Sequence, residues 1–132
     1  MKQIEIKATI EKLIDTFLYA GKVSIELRKK GLIKEIKEDN TPVSNGDLEV
    51  NRILTEKINN LTPQIPIVSE ETSHNKSKKD LKNFWLIDPI DGTYDYINDL
   101  DEFTLNAGLI INNRAVAGII SVSYTHLRAH ET

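Results

Sequence analysis

The chain has 132 residues, enough for one domain with a real core and too few for two of ordinary size. Hydrophobic residues make up 39% and charged residues 28%, the balance of a soluble globular protein, and the net charge of −3 carries no footprint of nucleic-acid polymer binding. Cysteine is absent, which excludes disulfides and thiolate metal sites and fits a reducing cytoplasm.

The N-terminal MKQIEIKATIEKLIDTF mixes charges into its apolar positions, so it reads as neither signal peptide nor membrane span. Ile6, Ile10, Leu13, Ile14, Phe17, Ala20, Gly21 and Leu27 recur at helical spacing and predict a first amphipathic helix of about 25 residues. It closes on RKKG, with cations suited to the C-terminal dipole and Gly31 suited to a left-handed cap. LIKEIKEDNTPVSNGD reads as a short strand or hairpin arm leading into a polar turn. A second helix is expected from about Asn45 to Leu61, with Leu48, Ile53, Leu54, Ile58 and Leu61 on one face.

Pro63 and Pro66 bracket a break before IPIVSEE, a short apolar strand that ends in acid. Residues 72–83 read as an exposed connector in which His74 is a solvated surface residue. FWLID is a strand whose continuous apolarity predicts burial on both faces. Beyond it DPIDGT reads as an acidic turn, and TYDYIND as a short helix. FTLNAGLII and AVAGIISVS read as two strands of a hairpin joined at NNR. Helix, helix, then strands is an α+β layered order, two helices on a mainly antiparallel sheet.

Two strands stop in carboxylates, one at Ser69-Glu70-Glu71 and the other at Asp88. If they are neighbours, Glu70 and Asp88 come side by side, and Asp91 follows past a proline and beside a glycine. Carboxylates that close repel unless a cation sits between them, and hard oxygen ligands without histidine or cysteine favour magnesium, manganese or calcium over zinc. Against this, Asp-Pro and Asp-Gly are ordinary turn signals, and Asp or Thr is an ordinary helix cap.

SEE followed by WLIDPIDGT resembles the inositol monophosphatase superfamily of magnesium-dependent phosphatases. EDNTPVSNGDLEVNRIL, LTPQIPIVSEE and DEFTLNAGLI resemble its 3'(2'),5'-bisphosphate nucleotidase branch. The resemblance covers about residues 5 to 122 and implies the N-terminal half of a layered αβαβα sugar-phosphatase fold. It implies two or three magnesium ions as cofactors, with Glu70, Asp88 and the Ile90 carbonyl at the first and Asp88 and Asp91 at the second. Thr93, Asp47 and Glu70 would activate the attacking water, while the Gly92 and Thr93 amides would hold the phosphate. The implied partner is a small phosphate ester, with no nucleic-acid polymer and no membrane insertion.

Tyr94 stands where many bisphosphate nucleotidases of the family carry a cation, which bears on the substrate more than on the metals. Family members are considerably longer, with a second half that this chain does not match. SYTHLRAHET after Val122 is expected to be a non-native tail, so residues 1–122 form the family half and 123–132 an addition that leaves the last strand edge unpaired. His126 and His130 have helical i, i+4 spacing that could bind zinc, a reading set aside with the tail. Three alternatives stay open: an inositol or sugar phosphate phosphatase, a haloacid dehalogenase-type enzyme with an aspartyl nucleophile, and an inactive fragment.

Overall fold

The computed structural model describes residues 1–69, 81–122 and, for the backbone alone, 126–131. Helix α1 (Gln3–Lys30) turns its apolar stripe inward, burying Ile6, Ile10, Leu13, Phe17 and Ala20. Thr9, Gly21 and Ser24 are buried on the same side, and the small side chains in the second half let a neighbour approach closely. Arg28, Lys29 and Lys30 fill the last turn, and Gly31 at φ +94° ends the helix in a region that side chains with a Cβ avoid.

Strands β1 (Lys34–Ile36) and β2 (Pro42–Ser44) pair antiparallel as the expected hairpin. Its tip is fixed by the Asp39 carboxylate, which accepts from the Thr41 amide at 3.1 Å and hydroxyl at 2.5 Å, with Asn40 at φ +67°. Helix α2 (Asn45–Leu61) buries Val50, Ile53, Leu54 and Ile58 and packs against α1 and the sheet. Leu48, expected on that face, is instead 49% exposed. Six residues separate it from Leu54, about 1.7 helical turns, so it falls off the buried stripe.

The main sheet has the order β3 (Ile67–Ser69), β4 (Phe84–Asp91), β5 (Thr104–Ile111), β6 (Arg114–Val122) and β7 (His126–Glu131). β3 runs parallel to β4 and the remaining pairs are antiparallel. Helix α3 (Thr93–Ile97) links β4 to β5. Asn112 and Asn113, both at positive φ, make the tight turn between β5 and β6, the geometry that matches strand twist in a two-residue hairpin.

One face of the sheet packs on α1 and α2 through Trp85, Ile87, Leu105, Ala107, Leu109 and Ile119, all buried. The indole N–H of Trp85 donates to the Thr62 hydroxyl at 3.0 Å, tying β4 to the end of α2. The opposite face is only partly covered: Phe84 is buried there, while Leu86 is 37%, Ile120 40% and Val122 37% exposed. FWLID is therefore not buried on both sides as its apolarity suggested. Both long helices among the described residues lie on one side of the sheet, and strand alternation carries Leu86 to the other.

The strand edge expected to be unpaired after Val122 is paired, because residues 126–131 run antiparallel along β6 with Val122 opposite His126. An edge strand offers free N–H and C=O groups that any extended backbone can satisfy, whatever its sequence. The helical spacing that made His126 and His130 a zinc candidate does not apply to that extended backbone. His74 and most of the 72–83 connector lie outside the described residues.

The alternation gives a measurable contrast. Ile87→Ala should cost about 2–4 kcal/mol in urea unfolding, and Leu86→Ala less than about 1 kcal/mol. Equal costs would mean that both faces are packed.

Candidate active site at the end of strand β4

Asp88 pairs with Asn106 and Asp91 with Thr104, so three steps along β4 match two along β5. The extra residue is a β-bulge at Pro89 and Ile90, and Pro89 has no N–H to offer the ladder. In a regular strand residues three apart face opposite sides. The bulge cancels that alternation, and both aspartates line one cavity. The segment expected to be a turn is thus a bulged strand end, and the reversal comes one residue later. Gly92 makes it at φ +90°, where an added Cβ would stand 2.9 Å from the Glu102 carbonyl oxygen.

The cavity, about 290 Å³, is lined by Asp88, Ile90, Asp91, Gly92, Thr93 and Tyr94 from one side. Lys37, Asp39, Thr41 and Pro42 close it from the β1–β2 hairpin. Sequence reasoning did not single out Lys37, Asp39 or Thr41 as site residues. Their stretch stood inside EDNTPVSNGD, but only the pairing of β1 with β2 folds the tip back over the strand end. The Thr41 hydroxyl, then its amide, hold the Asp39 carboxyl below the usual carboxylate range.

Asp47 reaches the same place from the first turn of α2. It is 1% exposed, and its Oδ2 accepts from the Ser44 hydroxyl at 2.6 Å and the Ser44 amide at 2.8 Å. The Ser44 hydroxyl in turn accepts from the Asp47 amide at 3.3 Å, a reciprocal cap that fixes the start of the helix. Its Oδ1 accepts from the Thr93 hydroxyl at 2.9 Å, and the Ile90 carbonyl lies 3.2 Å from that hydroxyl. The structure thus brings Asp47 together with Thr93 and the Ile90 carbonyl, which lie far along the chain from it.

β3 and β4 are neighbours, with Ser69 opposite Ile87. The buried Ser69 hydroxyl donates to Asn51 Oδ1 at 2.6 Å, which pins the end of β3 to α2. Glu70 and Glu71 lie outside the described residues. Among the described residues no three carboxylate or imidazole groups converge closely enough to hold a metal ion, while Asp88 and Asp91 line the same cavity. With the Ile90 carbonyl and the Thr93 hydroxyl, the polar groups of the cavity wall are dominated by hard oxygen donors, a set that fits magnesium.

Behind the site, Tyr96 is fully buried, and its hydroxyl donates to the Ser24 carbonyl at 2.6 Å. Burial, reinforced by the negative Asp47 and opposed by Arg28, raises the phenol above its usual value near 10. A phenol with a raised folded pKa stabilises the fold fully below the unfolded pKa, and that stability is lost as pH rises through the folded pKa. Stability should fall above about pH 10, and Tyr96→Phe should flatten that slope in pH-dependent unfolding. Asp47→Ala, which removes the acceptor of three hydrogen bonds, should cost about 2–3 kcal/mol in the same measurement.

The profile of the inositol monophosphatase family matches residues 6–129. The 3'(2'),5'-bisphosphate nucleotidase CysQ of Haemophilus influenzae is 42% identical over 103 residues, 76% of this chain and 38% of that protein. The protein of the same name from Aggregatibacter actinomycetemcomitans is 43% identical over 94 residues, 70% of this chain and 35% of that protein. The chain thus spans less than two-fifths of the length of these curated relatives. Among solved structures, extragenic suppressor protein SuhB of Bartonella henselae superposes with a TM-score of 0.79 at 22% identity, over 94% of this chain and 48% of its own. An IMPase/NADP phosphatase complexed with Mg2+ and phosphate gives a TM-score of 0.76 at 21% identity, over 92% and 47%. With its α+β fold shared by these structures and its sequence matched almost end to end, the chain belongs to the inositol monophosphatase family.

Proposed function

We propose that this sequence carries the metal- and water-activating half of a magnesium-dependent phosphomonoesterase. The reading deepens to a 3'(2'),5'-bisphosphate nucleotidase that releases phosphate from adenosine 3',5'-bisphosphate and leaves AMP. The observation that carries it is the Thr93–Asp47 hydrogen bond, 2.9 Å, beside two aspartates brought to one cavity by a bulge.

The Thr93 hydroxyl gives its hydrogen to Asp47, so its oxygen is left as an acceptor toward the cavity. A water there can pass a proton to Thr93 as Thr93 passes its own to Asp47, a relay that sharpens the water as nucleophile. Glu70 joins these residues as a base in the family pattern. Asp88, Asp91 and the Ile90 carbonyl would hold the magnesium ions together with Glu70. When bound, magnesium would supply Lewis acidity for the attacking and leaving oxygens. The Gly92 and Thr93 amides would hold the phosphate, and Gly92 permits a close approach by having no side chain.

The relatives named as bisphosphate nucleotidases support a nucleotide over a polyol phosphate as the substrate. A localisation in the cytoplasm fits the cysteine-free composition, and no helix among the described residues is long and apolar enough to cross a membrane. The partly covered sheet face at Leu86, Ile120 and Val122 favours a second reading, in which these 132 residues alone bind metal but turn over slowly.

Calorimetric titration of magnesium should show uptake by this chain and its loss in Asp88→Asn. In the active polypeptide, chelation should abolish turnover, and Asp88→Asn should lower the rate by about a thousandfold, about 4 kcal/mol of transition-state stabilisation. Activity that survives chelation would sink the metal assignment. Assayed side by side at saturating magnesium, adenosine 3',5'-bisphosphate should exceed inositol 1-phosphate in kcat/KM by about tenfold or more, about 1.4 kcal/mol. A reversed preference would move the enzyme to the polyol branch.

A further inference from the structure

The contact between Thr93 and Asp47 joins α3 to the first turn of α2, and one other contact joins the same two elements at the same point. The Tyr96 ring lies directly on Gly46. A Cβ built at Gly46 would stand 2.1 Å from the Tyr96 hydroxyl oxygen and 2.7 Å from two ring carbons. Tyr96 is three residues after Thr93, so both side chains leave the same side of α3. Gly46 is the residue before Asp47. The ring on the glycine and the hydroxyl on the carboxylate are thus neighbouring contacts across one seam.

The ring has no room to withdraw. Its hydroxyl is bonded to the Ser24 carbonyl of α1 at 2.6 Å. Phe103 packs edge-on at 4.9 Å and 61°. The Arg28 guanidinium stands 5.6 Å from the Tyr96 ring and 5.3 Å from that of Phe103. Arg28 also donates to the Leu100 carbonyl at 2.8 Å and pairs with Asp101 at 2.6 Å and Asp99 at 3.3 Å. The α3–β5 connection is thereby fastened to α1, with Tyr96 at the centre of the clamp.

We propose that Tyr96 and Gly46 are a size-matched positioning pair that sets how closely the Thr93 hydroxyl approaches Asp47. The pair touches neither substrate nor metal, and its place in the reaction rests on the proton relay described above. With any side chain at position 46, α3 must move off α2 while the Ser24 tether holds the ring in place. Tyr96→Phe removes both that tether and the oxygen an added Cβ would meet first, at 2.1 Å, so a smaller shift of the ring admits a methyl group.

The test uses this chain without metal or substrate: Gly46→Ala, Tyr96→Phe and the double variant. It reads the nuclear Overhauser cross-peaks between Thr93 and Asp47, with thermal unfolding alongside. Gly46→Ala should lose the cross-peaks in the folded molecule, Tyr96→Phe should keep them weakened, and the double variant should regain them with a higher Tm than Gly46→Ala. If Gly46→Ala does not fold, the double variant should restore folding. Cross-peaks retained in Gly46→Ala, or a double variant no better than Gly46→Ala, would overturn the pairing. In the active polypeptide, kcat should follow the contact, about tenfold lower in Gly46→Ala and partly restored in the double variant, with KM unmoved. Turnover indifferent to a contact that is lost and regained would refute the relay and leave the pair intact.

Discussion

The Asp47 carboxylate belongs to two structures at once. Its Oδ2 accepts both donors of Ser44 and so completes the cap at the start of α2, while its Oδ1 takes the hydroxyl of Thr93. The cap makes the carboxylate stationary, because two donors on one oxygen leave it no alternative rotamer of similar energy. A stationary carboxylate then fixes the Thr93 hydroxyl, and through it the start of α3. The N-terminus of α2, the bulged end of β4 and the first turn of α3 therefore share one hydrogen-bonded joint, buried behind the cavity that it serves.

Around that joint the sheet places charge where no apolar packing is asked of it. Asp88 and Asp91 face one cavity because an extra residue interrupts the ladder between them. The strand is otherwise ordinary and deeply packed, with Trp85 and Ile87 fully buried against the helices. A rigid strand with an irregular end is a good mount for the two carboxylates proposed to meet a cation. The hairpin closing the other side is a lighter structure, two strands of three residues each, stabilised at its tip by Asp39 and Thr41.

Helix α2 was legible from Asn45 to Leu61 because Ile53, Leu54 and Ile58 recur at helical spacing, and α1 because its pattern runs for many turns. The β5–β6 hairpin was legible because two asparagines tolerate positive φ. Burial on both faces of FWLID was misread, since apolarity tells which residues dislike water and not how many layers exist to cover them. The bulge was invisible for a related reason: Asp-Pro and Asp-Gly announce a change of direction, and the register of β5 decides whether that change is a turn or an added residue. Lys37, Asp39 and Thr41 line the cavity only through the fold-back of the hairpin, a long-range fact that local spacing does not encode. The closeness of Tyr96 to Gly46 is likewise a long-range contact, which the spacing within either segment does not announce.

Asn45 and Gly46 also form a dipeptide with a chemical lifetime. In a flexible chain the backbone nitrogen after an asparagine attacks its side-chain amide, and glycine, which offers no steric hindrance, is the fastest partner. Here that nitrogen sits in the first turn of α2, and the Asn45 side-chain oxygen accepts from the Ile33 amide at 2.9 Å. Both the helical backbone and the occupied side chain keep the ring from closing. Deamidation of Asn45 is thus gated by opening of the helix start, and the isoaspartyl product would add a backbone atom ahead of Gly46, between the two partners of the Ser44–Asp47 cap. A molecule that opens there often enough ages into one that can no longer re-form its cap, so the shelf life of the site is set by the stability of a single helical turn.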